Sequence, residues 1–232
     1  MVMGVTKRVV CLANSRKPYG RCVAGVEVIS DEPAGWIRPV SDREGHAVSE
    51  EERRYQDGGD PQVLDVIDVP LLEPSPGTYQ RENWLLDPRY YWTKTATFSW
   101  ESLKVLAQTS GPLWVDGDST FHGLNDKITD EVADQLGSSL TLIHVGELRL
   151  RTFAPGKDFG DNKRRLQVKF EFDGVEYRFW VTDPIYERRY LAGPDGGHEL
   201  GESYLTISLA EPHNGACYKV VAAIIEPRGG TV

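Results

Sequence analysis

Cationic side chains beside an aromatic ring can hold a phosphate backbone and stack a base. One stretch of this chain supplies that combination. The run Asn14-Ser15-Arg16-Lys17-Pro18-Tyr19-Gly20-Arg21 is polar and turn-prone and lies between two apolar runs. It belongs to a segment, residues 1–26, with five basic side chains (Lys7, Arg8, Arg16, Lys17, Arg21) and no acidic one, in a chain of formal net charge -9. Gly35-Trp36-Ile37-Arg38-Pro39-Val40-Ser41 follows. Residues two apart on a strand share a face, so Trp36 and Arg38 are expected to point the same way. On a ligand-binding reading Arg16, Lys17, Arg21 and Arg38 contact phosphates, and Tyr19 and Trp36 stack on bases. The plainer reading is a cationic surface loop beside a core tryptophan.

The second half offers weaker chemistry. Lys163-Arg164-Arg165 and Arg188-Arg189-Tyr190 flank a hairpin and place cations where phosphate contacts want them. Asp158, Asp161 and Glu187 lie close by in sequence, so solvated turns explain them equally. Thr182-Asp183-Pro184 ends a strand, and an Asp before Pro usually makes an Asx turn. A hydrolase or nuclease would instead use Asp183 with a metal or with Lys219. His213 and Cys217 stand four apart with no third partner for a nucleophile pair. The five histidines show no HxxxH spacing and the three cysteines no CxxC, so neither metal nor cofactor is expected. Gly193-Pro194-Asp195-Gly196-Gly197 lacks the Gly-Lys-Ser/Thr ending of a phosphate loop.

Composition bounds the rest. Residues 1–115 hold 13 basic and 16 acidic side chains, and residues 116–232 hold 13 and 19. Both halves are acidic, which argues against a protein that coats DNA nonspecifically and leaves room only for a local cationic groove. No apolar run approaches the roughly 18 residues of a membrane helix. The N-terminus lacks an apolar core after a basic start, so no signal peptide is expected. Sparse, odd-numbered cysteines suit reduced thiols and a cytoplasmic protein.

The elements that must position these residues are mostly strands. Strands are expected over 5–13, 22–29, 36–40 and 63–72, with Gly25 at a bulge or close approach. Residues 14–21 read as a loop and 31–35 as a turn. Ser49 starts a short helix whose acidic run faces solvent. Residues 73–94, with Tyr79, Trp84, Tyr90, Tyr91 and Trp92, read as an irregular connection glued down by its aromatics. Ser99 and Thr129 or Asp130 cap two further helices, the second running through Leu136. One strand is expected over 141–150. Arg165–Phe172 alternates, Asp173-Gly174 is a hairpin turn, and Val175–Val181 returns with Phe170, Phe172, Tyr177 and Phe179 in the core. Residues 193–201 read as a mobile loop, followed by strands at 204–209 and 218–226. Strand-rich units of about 100 residues with one helix fit small Greek-key barrels. The expected division is 1–115 and 116–232, with no sequence repeat between the halves.

The segment Cys11-Leu12-Ala13-Asn14-Ser15, then Gly20-Arg21-Cys22-Val23-Ala24-Gly25 and Gly35-Trp36-Ile37-Arg38-Pro39-Val40-Ser41, resembles the N-terminal signature of the bacterial dual OB-fold domain proteins. Trp180-Val181-Thr182-Asp183-Pro184, Ile207-Ser208-Leu209 and Tyr218-Lys219-Val220-Val221-Ala222-Ala223-Ile224 resemble that family's second half. The resemblance implies two tandem OB-fold-like barrels in a mostly β protein. It implies a family that recognises nucleic acid and is considered among prokaryotic defence systems. With the acid-free basic loop beside Gly35-Trp36-Ile37-Arg38, the expected function is a non-enzymatic binding module for single-stranded or unpaired DNA or RNA, or a nucleotide-like ligand. It carries Asn14, Ser15, Arg21, Trp36, Arg38 and Ser41 as site positions, with Thr182, Asp183 and Lys219 beside them. Besides nucleic acid, a protein effector is the expected partner, and a protein-interaction subunit is the competing function.

Overall fold

The computed structural model describes residues 4–30 and 32–227 and is mostly strand. Met1–Met3 and Asp31, which the leader and turn expectations touch, lie outside the described residues. Two compact units divide the chain. One runs to Leu106 and takes in Gly137–Ser139; the other is Ala107–Leu136 with Leu140 onward.

The first unit contains β1 (Val5–Lys17), β2 (Gly20–Ile29), β3 (Glu32–Val40), α1 (Glu50–Arg53), β4 (Asp65–Pro74), β5 (Asn83–Leu86) and β6 (Thr93–Thr97). Its strands run in the order β1-β2-β3-β5-β4-β6, and β1 also pairs with β4, which closes a barrel. A register shift between Cys11 and Ala13 lets one strand serve both neighbours. Val5–Val10 pair with β4, and Val9–Lys17 pair with β2. A bulge bends a strand in this way. Gly25 sits opposite Cys11 beside that shift, and a Cβ there would lie 2.0 Å from the Val10 carbonyl oxygen. Only glycine permits that approach. Val9, Cys11, Val23, Ile37, Ile67, Val69, Leu71, Leu86 and Trp92 fill the interior.

The second unit contains β7 (Lys127–Thr129), α2 (Asp130–Ala133), β8 (Leu140–Val145), β9 (Leu148–Phe153), β10 (Arg165–Phe172), β11 (Val175–Val181), α3 (Pro184–Leu191), β12 (Gly196–Leu200), β13 (Ser203–Leu209) and β14 (Ala216–Ile225). Its sheet runs β12-β9-β10-β11-β14-β13-β8, with β7 on β14. β8 and β9 follow each other directly in the chain. If they are counted as one strand broken at Gly146-Glu147, the barrel order is that of the first unit. In each, the first strand joins the second and the fourth, and the third lies parallel to the fifth. A helix follows the third strand in both, α1 in one and α3 in the other. The architecture repeats although the sequence does not.

Several local expectations change. The basic loop is mostly strand: Arg16 pairs with Arg21 and Lys17 with Gly20, leaving a two-residue turn at Pro18-Tyr19. Glu32–Gly35 belong to β3. Residues 73–94 include β5, and Tyr79 and Trp92 are buried whereas Tyr90 and Tyr91 are exposed. The Ser99 cap starts a 3-10 turn over Trp100–Val105, and the Thr129 helix stops at Ala133. The acidic run at 50–52 forms α1 with a complete Ser49/Glu52 capping box. Arg53 at its end is buried against Asp60, at 2.6 Å. The 141–150 strand is two strands that pair with different neighbours. The 193–201 loop contains β12, which pairs with β9 from Gly196 to Leu200.

Candidate nucleic-acid interface

In the second barrel, inward positions of β10 and β11 are apolar: Leu166, Val168, Phe170, Phe172, Tyr177, Phe179 and Val181 are all buried. Alternation therefore turns Arg165, Gln167, Lys169 and Glu171 outward on β10, and Glu176, Arg178 and Trp180 outward on β11. On β9, Leu148, Leu150 and Thr152 are buried, so Arg149, Arg151 and Phe153 face out. Register assembles them: Phe153 opposite Arg165, Arg151 and Trp180 on either side of Gln167, Arg149 and Arg178 on either side of Lys169.

The result is a surface of cations and rings. The Arg151 guanidinium lies 4.4 Å from the Phe153 ring centroid, and Arg165 lies 5.6 Å from that of Trp180. Phe153 and Trp180 are 5.7 Å apart, tilted by 30°. His122 packs edge-on to both, and to Phe121, which is 95% exposed. Gln167 fixes this loop by donating to the His122 carbonyl at 2.9 Å, and paired backbone bonds tie Leu124 to Arg178. No carboxylate among the described residues pairs with Arg151 or Arg165. Arg149 is held by Glu147 at 2.7 Å, and Lys169 by Glu176 at 2.5 Å. Exposed cations over aromatic faces, left free of carboxylates, can accept phosphates and stack bases.

The hairpin tips carry the same chemistry. In the first barrel Tyr19 closes the β1–β2 turn at φ 64 with its ring 93% exposed, between Lys17 and Arg21. Pro18 supplies the first turn position, and the second requires a positive φ that a tyrosine adopts at a cost. In the second barrel Phe159 is 92% exposed in the β9–β10 connection, with Lys157 and Lys163 exposed beside it in sequence.

The remaining expected site residues divide between contacts within the fold and open surface. Arg38 is buried, 3.0 Å from the Glu82 carboxylate and 2.8 Å from the Ser139 hydroxyl, which itself donates to Glu82. Its guanidinium is not offered to an outside phosphate. The buried Ser41 hydroxyl donates to Glu52 at 2.7 Å and accepts from Arg43. Asn14 donates to the Pro61 carbonyl at 2.8 Å and to Asp60, and the buried Ser15 hydroxyl donates to the Cys22 carbonyl. Trp36 is half-buried on β3. Arg164 joins Asp195 at 2.6 Å and the Leu191 carbonyl at the end of α3. Arg189 pairs with Glu226, Arg188 and Lys163 are exposed, and the Thr182 amide donates to Val221.

Asp183 and Lys219 do not form a catalytic pair. Asp183 is the N-cap of α3: its carboxylate accepts from the Ile185, Tyr186 and Ile224 amides, and burial pushes its pKa up. Lys219 is buried, donating to the Val115 carbonyl at 2.7 Å with Asp116 at 3.4 Å, and burial brings its ammonium down to about 8. Ile224 stands five residues beyond Lys219 on β14, a run of about 16 Å. Among the described residues no three His, Cys, Asp or Glu side chains cluster as metal ligands.

Arg149, Arg151, Phe153, Arg178, Trp180, Phe121 and His122 escaped the sequence reading. The signal was the alternation in Leu148-Arg149-Leu150-Arg151-Thr152-Phe153, two arginines and an aromatic on the outward parity.

A five-stranded barrel with this strand order, carrying its exposed polar and aromatic surface on strands one to three, is an OB fold. The protein is thus a tandem OB-fold module. The model of the Dual OB-containing domain matches residues 7–224, and the chain belongs to that family. No curated protein and no solved structure matches the chain. Among the described residues no helix is long and apolar enough to cross a membrane.

Proposed function

We propose that this protein binds single-stranded or unpaired nucleic acid, without turning it over, on the outer face of β9, β10 and β11. The observation that carries this reading is the pair of arginines, Arg151 and Arg165, resting on Phe153 and Trp180 with no carboxylate partner among the described residues. The rings stack bases and the guanidinium groups take the flanking phosphates. Each stacked base contributes about 1–3 kcal/mol. OB folds use this face together with the connection between strands one and two. Phe159, Lys157 and Lys163 extend the site in the second barrel. Tyr19, Arg16, Lys17 and Arg21 give the first barrel a smaller contact of the same kind.

An acidic chain with a confined cationic face suits a recognition component rather than a coating protein. As part of a prokaryotic defence system, such a component would report its ligand to a protein effector. Fluorescence anisotropy with labelled single-stranded DNA, single-stranded RNA and duplex DNA, at low and moderate salt, tests the reading. Salt-sensitive binding that favours single strands is expected. No binding to any of the three at tens of micromolar would overturn it.

A further inference from the structure

The outer face of the second barrel changes sign along its length, and that change limits what can lie on it. Cross-strand register sets its rows, each about 6.6 Å from the next. Phe153 and Arg165 form the first, Arg151, Gln167 and Trp180 the second, and Arg149, Lys169 and Arg178 the third. Beyond them Glu171 stands directly opposite Glu176. Glu147 precedes β9, and Glu199 lies opposite Arg149 on β12. Carboxylates thus gather across one end of the face. Like charges directly opposite each other weaken a sheet, so this row has a cost.

The same carboxylates occupy the third row. Arg149 lies 2.7 Å from Glu147 and 3.6 Å from Glu199, Lys169 lies 2.5 Å from Glu176, and Arg178 lies 3.8 Å from Glu176. Among the described residues, only the first two rows keep cations free of carboxylates. A phosphate carried past the third row would come within about 6.6 Å of the acidic side chains, inside the Debye length of about 8 Å.

Resting on the reading above, we propose that this face takes the end of a single strand, with the acidic row as its stop. The two open rows and the carboxylate-paired third together span about 13 Å. That length holds about two or three nucleotides, fewer than the roughly 4–16 usual for an OB fold. A continuous strand would have to cross the carboxylates or leave the surface. A terminus needs neither.

Three probes of related sequence test this on the intact protein by competition anisotropy: a trinucleotide, a linear strand of about 30 nucleotides and the same strand closed into a circle. The trinucleotide and the linear strand should bind within about threefold of each other per end, and the circle about tenfold or more weaker. The double variant Glu171→Gln, Glu176→Gln alters exposed or half-exposed side chains and should narrow the gap between circle and linear strand. A circle that binds as tightly as the linear strand overturns the proposal and leaves the nucleic-acid reading standing. A gap that the double variant leaves unchanged also overturns the acidic stop. Failure of all three probes to bind removes the nucleic-acid reading, and this proposal with it.

Discussion

Replacing both Arg151 and Arg165 with glutamine removes the two cations of the candidate face that no carboxylate among the described residues holds. For single strands the logarithm of affinity falls with the logarithm of salt at about 0.7 per phosphate neutralised. If each guanidinium takes one phosphate, the double variant should lose about 1.4 from that slope. Between 50 and 200 mM salt, a fourfold change, those two contacts account for about a sevenfold loss of affinity. The wild type should show that loss, and the variant should lack it. Each arginine also leaves an aromatic face, a contact of about 0.5–1 kcal/mol at an exposed site. Stability should therefore drop by only about 1–2 kcal/mol, or a few degrees in Tm for a chain of this size. The assay is anisotropy titration of a labelled single strand at four or more salt concentrations, with circular dichroism to show the variant is folded. A folded variant whose slope equals that of the wild type refutes the placement of phosphates on this face.

Other outcomes follow from single side chains. Trp180→Ala should weaken single-strand binding about 5- to 150-fold, the equivalent of one lost stack, and equal binding in titration would remove Trp180 as a platform. Asp183→Ala should cost about 2–4 kcal/mol in urea denaturation, through the lost α3 cap and the bared Ile224 amide, while binding per folded molecule stays unchanged. Arg38→Ala leaves Glu82 buried without its guanidinium, so a loss of about 3–5 kcal/mol is expected in urea denaturation. Burial lowers the Lys219 ammonium from 10.5 to about 8, against the pull of Asp116 and Asp126. Between those values the unfolded chain holds a proton that the folded chain releases, so stability rises with pH across that window and the full cost is present below it. Urea midpoints at about pH 7.5 and about pH 9.5 should therefore show less of this rise in Lys219→Met than in the wild type.

The strands legible in the sequence were those whose alternation is clean. Arg165–Phe172, the Asp173-Gly174 turn and the returning β11 could be read directly because every second residue is a large apolar one. The α3 helix was missed because its buried side chains are two tyrosines, Tyr186 and Tyr190, among Glu187, Arg188 and Arg189, and polar content hid its apolar stripe. β12 was missed because its pairing to β9, not its Gly-Gly-His-Glu-Leu composition, makes it a strand. The candidate site was half legible. Tyr19, Arg16 and Lys17 form one contiguous run, and runs are visible. Arg151, Arg165 and Trp180 meet only through cross-strand register, which no single segment discloses. Arg38 and Ser41 misled for a related reason: their partners Glu82 and Glu52 lie elsewhere in the chain, and a buried ion pair looks the same in sequence as an exposed cation.

The repeated strand order also bears on how the molecule comes to exist. In the second barrel the cationic face is a meander: β9, β10 and β11 are successive in the chain, joined by residues 154–164 and by the Asp173-Gly174 turn. Closing that barrel is a different matter. The parallel contact of Trp180 with Val220 spans forty residues, and β8 must find β13 across more than half the unit. Contacts between distant residues carry a larger loop-closure cost and form more slowly than hairpins. The meander is thus the segment with the shortest route to its final pairing, and the candidate face pairs ahead of the contacts that close the barrel behind it.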